Sequence, residues 1–221
     1  MITYKNILND KKIIERYKKI DAQNVFPFSH GLQHIRNMVE IMNKITKVLK
    51  ITGKEKRNLL IACVLHDIGQ ANGRENHGLI AKEFSREYLK NQISETDLQE
   101  ILSAIEKHDQ ETRLDELSLF SNLVCFADKM DFSKKRLEKD YEKKFGHLIY
   151  GDITGVDFKY DNSCLSILIS TNGISEAMNL LEKRHFFHKV INSSISMSKK
   201  LRASCKILVD RNELNLDKYT H

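Results

Sequence analysis

The chain has no tryptophan, one proline (Pro27) and nine glycines in 221 residues. With so few breakers, long helices are permitted almost everywhere. No apolar run approaches the ~20 residues that a membrane span needs. The N-terminus, MITYKNILNDKK, lacks the charged-then-apolar layout of a secretory signal. Cys63, Cys125, Cys164 and Cys205 lie far apart and form no CxxC, which reads as four reduced thiols in a cytoplasmic protein. What is present is 41% hydrophobic and 30% charged residues with a net charge of +6, the balance of a soluble globular protein. That length is enough for a real core without staples. The positive balance permits phosphate-bearing ligands or nucleic acid. It is mostly Lys mixed with Glu and Asp, however, including the stretch SKKLRASCK. It therefore reads as solvated helix faces, and specific nucleic-acid binding is not expected.

Helical patterns dominate the first two thirds. A helix is predicted over Ile7 to Ile20, then the loop NVFPFSHG with Ser29 as a candidate N-cap. The next helix runs from about His30 to Leu49, and Gly53 breaks it. Helices follow over about 54–68, 75–90, Ser94 to Lys107 and 116–130, and 131–150 is charged and helical in part. Val156, Phe158 and Tyr160 then alternate with polar residues, Asp161-Asn162 supplies a turn, and Leu165, Ile167 and Ile169 alternate again. This is a β-hairpin pattern. From Ile174 a helix can continue to about Leu214. The expectation is a mainly all-α protein in three segments: an N-terminal helix in 1–25, a helical core in 26–145, and in 146–221 a small hairpin with a long C-terminal helix. An isolated hairpin is marginal, so it is expected to lie on the helices as an appendage and not as a second sheet domain.

Leu59 to Leu65, LLIACVL, contains no polar side chain and ends on His66-Asp67. A segment apolar all round is buried, and a buried carboxylate needs a partner or a metal. The alternative is an exposed pair at a helix C-terminus stopped by Gly69. Helical spacing bears on the choice. His34 precedes Met38, Ile41 and Ile45 on one face; His77 precedes Ile80, Ala81 and Phe84; His108 follows Leu98, Ile101 and Ile105; Asp128 follows Leu117, Phe120 and Val124. Each lies on or beside an apolar stripe. One inward His is usually a satisfied core residue. Six such groups in one small domain all need partners, and one divalent metal or a pair would satisfy them together.

The order His34, then His66-Asp67 within LHDIG, then Asp128 within ADKMD resembles the H…HD…D signature of the HD superfamily of metal-dependent phosphohydrolases. His77 in NHGLIAKEF and His108 in AIEKHD resemble the subset that binds two metals, which includes HD-GYP phosphodiesterases and symmetrical dinucleoside tetraphosphate hydrolases. The resemblance covers about residues 26 to 135. It implies an HD-domain helical bundle with His34, His66, Asp67 and Asp128 on a first metal. Asp67 would bridge to a second metal completed by His77 and His108, with Lys129 near the substrate phosphate. Fe or Mn would suit best, with Zn, Ni, Co or Mg as alternatives. The chain departs from HD-GYP proteins in having Gln70 where they carry a lysine that contacts substrate, and in lacking the GYP part. It departs from the dinucleoside hydrolases in having Asp109-Gln110 where they carry Thr-Gly.

The implied activity is hydrolysis of a small phosphoester, a nucleotide or a relative, by metal-activated hydroxide. Asp67, Lys129 and His30 are the expected catalytic residues, and Lys129, Arg74, Gln70 and Asp131 the expected substrate contacts. His30 would touch phosphate or protonate the leaving group; the alternative is a local hydrogen bond. Asp131 would touch the substrate sugar or orient Lys129 or a ligand histidine. Arg74 is otherwise an ordinary loop residue. His185 and His188 have chelating spacing, but RHFFH reads as packing. Two other readings stay open: an oxygen-activating di-iron protein of the same fold, and a non-catalytic metal- or nucleotide-binding regulator. A long C-terminal helix would suit a homodimer, though no heptad is clear, and no membrane association is expected.

Overall fold

The computed structural model describes residues 2–23, 26–109, 114–174 and 176–219; Gln110, Asn24 and Val25 fall outside them. The expected first helix is two. The Thr3 side chain accepts from the Asn6 amide and the Asn6 side chain accepts from the Thr3 amide, a reciprocal cap that starts α1 (Tyr4–Leu8), which ends at its C-cap Asn9 before α2 (Lys11–Gln23). α3 (Leu32–Val48) starts two residues later than predicted, with Gly31 and not Ser29 at its N-cap. The Ser29 hydroxyl instead donates to Asp21 Oδ1 (2.9 Å) and accepts from the Gly31 amide (3.1 Å). This fixes His30 in the lead-in to the helix.

α4 (Gly53–Leu65) is the centre of the molecule. Leu59 to Leu65 are all buried, with α1, α3, α6 and α7 around them. Burying each large aliphatic side chain contributes about 1.5–3 kcal/mol. The buried Tyr17 hydroxyl of α2 donates to the Val64 carbonyl (2.6 Å), pinning α2 beside the end of α4. The helix then tightens into a 3-10 turn, Ile68–Asn72, which leads to α5 (His77–Leu89) and α6 (Glu95–Lys107). Two glycines set this approach. A Cβ at Gly69 would lie 2.1 Å from the His77 carbonyl oxygen, and one at Gly78 would lie 2.7 Å from the Glu106 carbonyl oxygen. Ser94 caps α6 as predicted, accepting from the Asp97 amide. α7 (Leu119–Met130) follows, then a 3-10 turn at Lys134–Arg136 and α8 (Tyr141–Phe145).

The C-terminal segment corrects the sequence reading. β1 (Ile153–Asp161) and β2 (Cys164–Thr171) pair antiparallel as expected. Their turn centres on Asn162–Ser163, both at positive φ, one residue later than predicted. α9 (Ala177–Glu182) and α10 (His185–Lys200) follow, but the helix ends there. Arg202 takes a positive φ, and the chain re-extends as β3 (Ser204–Val209), parallel to β2, and β4 (Asn212–Glu213). The hairpin is thus half of a four-stranded sheet in the order β1-β2-β3-β4. α10 supplies the crossover that a parallel pair requires and packs on β2 and β3. Phe158 and Leu165 meet Ile45, Phe126 and Met197 of α3, α7 and α10. One hydrophobic core therefore runs through all three segments. Among the described residues no helix is long and apolar enough to cross a membrane.

Candidate metal centre

Helix ends build the site. His34 lies in the first turn of α3; His66 and Asp67 follow the last residue of α4; His77 opens α5; His108 follows the last residue of α6; Asp128 is near the end of α7. All six side chains are buried. α4 delivers its pair because its whole circumference is covered, so its end emerges inside the bundle. Gly78 seats α5 against the carbonyl of Glu106, two residues before His108, and this brings His77 and His108 together.

Each imidazole is held through Nδ1. That atom lies 2.7 Å from Asp131 Oδ2 in His34, 2.9 Å from the Cys63 carbonyl in His66, 2.8 Å from the Arg74 carbonyl in His77 and 2.7 Å from the Ile105 carbonyl in His108. All four partners only accept, so each Nδ1 carries hydrogen and donates. In a neutral ring this leaves Nε2 as a bare acceptor. Those Nε2 atoms face one another: His34 and His66 at 3.2 Å, His77 and His108 at 3.1 Å.

The carboxylate of Asp67 is divided between the two pairs. Its Oδ2 lies 3.5 Å from His66 Nε2 and 3.7 Å from His34 Nε2. Its Oδ1 lies 3.2 Å from His108 Nε2 and 3.6 Å from His77 Nε2. Asp128 Oδ1 approaches His34 Nε2 at 3.2 Å, yet it is buried without a hydrogen-bond partner among the described residues. Two sets of ligand atoms, from His34, His66 and Asp128 and from His66, Asp67 and His108, each lie within 4.8 Å of one another. Bare imidazole nitrogens converging on buried carboxylate oxygens call for a cation. A mixed N/O donor set of this kind fits Zn, Fe or Mn, so these residues can hold a divalent metal.

Protons feel the same field. Burial and Arg136 oppose charge on His34, but Asp128 and Asp131 outweigh them and raise its pKa above the usual value. Burial likewise opposes charge on His108, and Asp67 overcomes it to raise the pKa. Burial prevails at His66, pushing it down to about 3. Burial would raise both carboxylates. The imidazoles of His66 and His108 hold Asp67 well below the usual range, and Lys129, His34 and Arg136 do the same for Asp128.

A cavity of about 480 Å³ opens onto Asp67, His77, His108 and Asp128. Lys129, Arg136, Arg74 and Lys189 line it, with Phe26, Phe28 and Phe186 as aromatic wall. Lys129 is buried and its ammonium donates to Asp128 Oδ2 (2.7 Å), which raises its pKa against the pull of burial. Gln70 donates from Nε2 to Asp67 Oδ1 (2.7 Å) and also faces the cavity. Arg74 stacks on Phe26, 4.2 Å from the ring centroid. His30 lines the cavity, but burial and Arg136 push its pKa down to about 3. Asp131 does not line this cavity; it holds His34 and accepts from Asn37 Nδ2 at 3.0 and 3.2 Å.

His185 reaches the cavity wall, whereas His188 bonds the Glu182 carbonyl through Nε2 (2.7 Å). The chelating pair suggested by their spacing does not form. Sequence reasoning missed Asn37, although it lies one turn from His34 on the same face. It also missed Arg136, whose guanidinium donates to the carbonyls of Ser29, Asp128 and Asp131 and lies 3.5 Å from Asp128 Oδ1. No periodicity in its Lys-rich surroundings marks that residue.

Residues 31–133 match the family model of the HD domain. No curated protein matches the sequence. Among solved structures, the chain is similar to a predicted HD superfamily hydrolase from an uncultured Thermotogales bacterium, at 18% identity and a TM-score of 0.44, covering 61% of this chain and 81% of that one. The matched region contains all six converging side chains, so the residues that converge in the structure are those of the HD-domain match over residues 31–133.

Proposed function

We propose that the protein is a phosphohydrolase that cleaves a small phosphoester, a nucleotide or a related compound, at a two-metal centre. The observation that carries this reading is the division of Asp67, Oδ2 toward His34 and His66 and Oδ1 toward His77 and His108. The first cation would take His34, His66, Asp67 and Asp128, and the second Asp67, His77 and His108, with Fe or Mn best suited to the donor set. A divalent cation held by these residues would lower the pKa of bound water from 15.7 toward ~7 and so would supply a nucleophile at neutral pH.

The chain's own residues do the rest. Lys129 and Arg136 beside Asp128, with Arg74 and Lys189 on the outer wall, set fixed positive charge where a phosphoryl group gains negative charge. Gln70 steadies the shared carboxylate of Asp67. His30, uncharged, serves as a hydrogen-bonding side chain.

The test is metal analysis of protein purified without chelator, then turnover of a generic phosphodiester and a nucleotide panel with Mn and Fe(II), with Asp67→Ala as control. Phosphoester cleavage that disappears in the variant is expected. Less than half an equivalent of metal after loading, or equal turnover in Asp67→Ala, would overturn the reading. Oxygen uptake without phosphoester cleavage would replace it with oxidation chemistry.

A further inference from the structure

A second cavity, of about 540 Å³, adjoins the metal cavity. Ile20 and Gln23 of α2 line it, with Asn72 from the 3-10 turn; Phe26, Gln70 and Arg74 face both compartments and form the boundary between them. Among the described residues no carboxylate lines this second space, so it is no further metal site. What it offers is three carboxamides, each with donors and acceptors, an apolar wall at Ile20, and a stacked aromatic–guanidinium pair at the threshold. Phe26 keeps 42% of its surface exposed, unusual for a ring of that size, and the planar Arg74 group lies over it. Stacking surface with carboxamide edges is the chemistry that recognises a planar, hydrogen-bonding heterocycle.

The two compartments are coupled. Gln70 donates to Asp67 Oδ1, the carboxylate at the centre of the metal site. Asn72 Oδ1 accepts from Arg16 of α2 (3.4 Å), and Arg16 itself lies 4.3 Å from the Phe84 ring centroid, so the carboxamide is held toward α2. Ile20, Gln23 and Phe26 all precede residue 31, where the HD domain begins. This space is therefore built in part by elements outside that domain.

We propose that the second cavity is a subsite for a planar heteroaromatic ring, such as a nucleobase, of a substrate whose phosphate occupies the metal cavity. Only the placement of the phosphate rests on the phosphohydrolase reading. Gln23 and Asn72 are exposed, so the double variant Gln23→Ala/Asn72→Ala should keep the core intact. The first experiment is calorimetric titration of metal-loaded protein with the four ribonucleosides and, separately, with inorganic phosphate. At least one nucleoside is expected to bind, with affinity at least tenfold weaker in the double variant, while the phosphate titration shifts less than twofold. No nucleoside binding at millimolar concentration, an unchanged nucleoside affinity in the variant, or an equal loss for both ligands would overturn the subsite.

Nucleoside binding needs no hydrolysis, so this result stands apart from the fate of the phosphohydrolase reading. Where turnover is found, the ratio of kcat/KM for a nucleotide to that for a ring-free alkyl phosphoester should fall at least tenfold in the variant, mostly through KM. An unchanged ratio would count against the subsite.

Discussion

His34 donates from Nδ1 to Asp131 Oδ2 at 2.7 Å, and Asp131 in turn accepts from Asn37 Nδ2. The carboxylate sits behind the histidine and not in the cavity, where it sets the ring's orientation and strengthens Nε2 as a donor to a metal. Partners of this kind typically govern metal affinity by 10–100-fold. Asp131→Asn keeps the shape and removes the charge. It is expected to weaken metal binding about tenfold, read by titration against a competing chelator. An unchanged affinity would show that His34 needs no carboxylate behind it.

Lys129 is buried and paired with Asp128 Oδ2. Lys129→Met should lower kcat by about 10²–10³, the scale of losing one preorganised charge-stabilising donor, and leave the metal content of loaded protein unchanged. Turnover within threefold of the parent would assign the lysine to structure alone.

Gly78 touches the backbone of α6 where no Cβ fits. Gly78→Ala must push α5 from α6, at a cost of about 1–3 kcal/mol seen in urea unfolding, and it must separate His77 from His108. The stoichiometry of bound metal should fall before the affinity of the remaining ion does. Parent-like stability would mean that the helices can part without strain.

The proton binding of His30 predicts a pH dependence. Unfolded, His30 titrates near its ordinary value of 6.5; folded, near 3. Between those values the unfolded chain binds the additional proton, so stability falls as pH falls below 6.5. The slope from this one group is at most about 1.4 kcal/mol per pH unit. His30→Gln should therefore lose less stability than the parent between pH 7 and pH 5, by no more than about 2 kcal/mol, in urea unfolding of chelator-treated protein. Identical pH profiles would contradict the lowered value.

The all-α core was legible because its signals are local. LLIACVL announces a helix covered on every side, Ser94 reads as a cap, and the stripes behind His34, His77, His108 and Asp128 point these groups inward. What escaped depends on distant partners. The start of α3 is set by Ser29 and Asp21, eight residues apart. β3 hides behind a helix that ends without glycine or proline, at an arginine in the left-handed region. Arg136 earns its place through carbonyls at 29, 128 and 131, a relationship that no spacing displays. Which cavity adjoins the metal site follows from where α2 lies, and α2 is placed by the bond from Tyr17 to Val64.

Three of the four histidines donate from Nδ1 to a carbonyl three residues earlier in their own chain segment: His66 to Cys63, His77 to Arg74, His108 to Ile105. The choice of which nitrogen to offer is thus written within four consecutive residues and travels with each segment. A mutation that shifts a whole helix changes the spacing between ligands but leaves each one's tautomer as it was. The centre can therefore be retuned for a larger or smaller ion by moving rigid pieces, without relearning how any single ring must point.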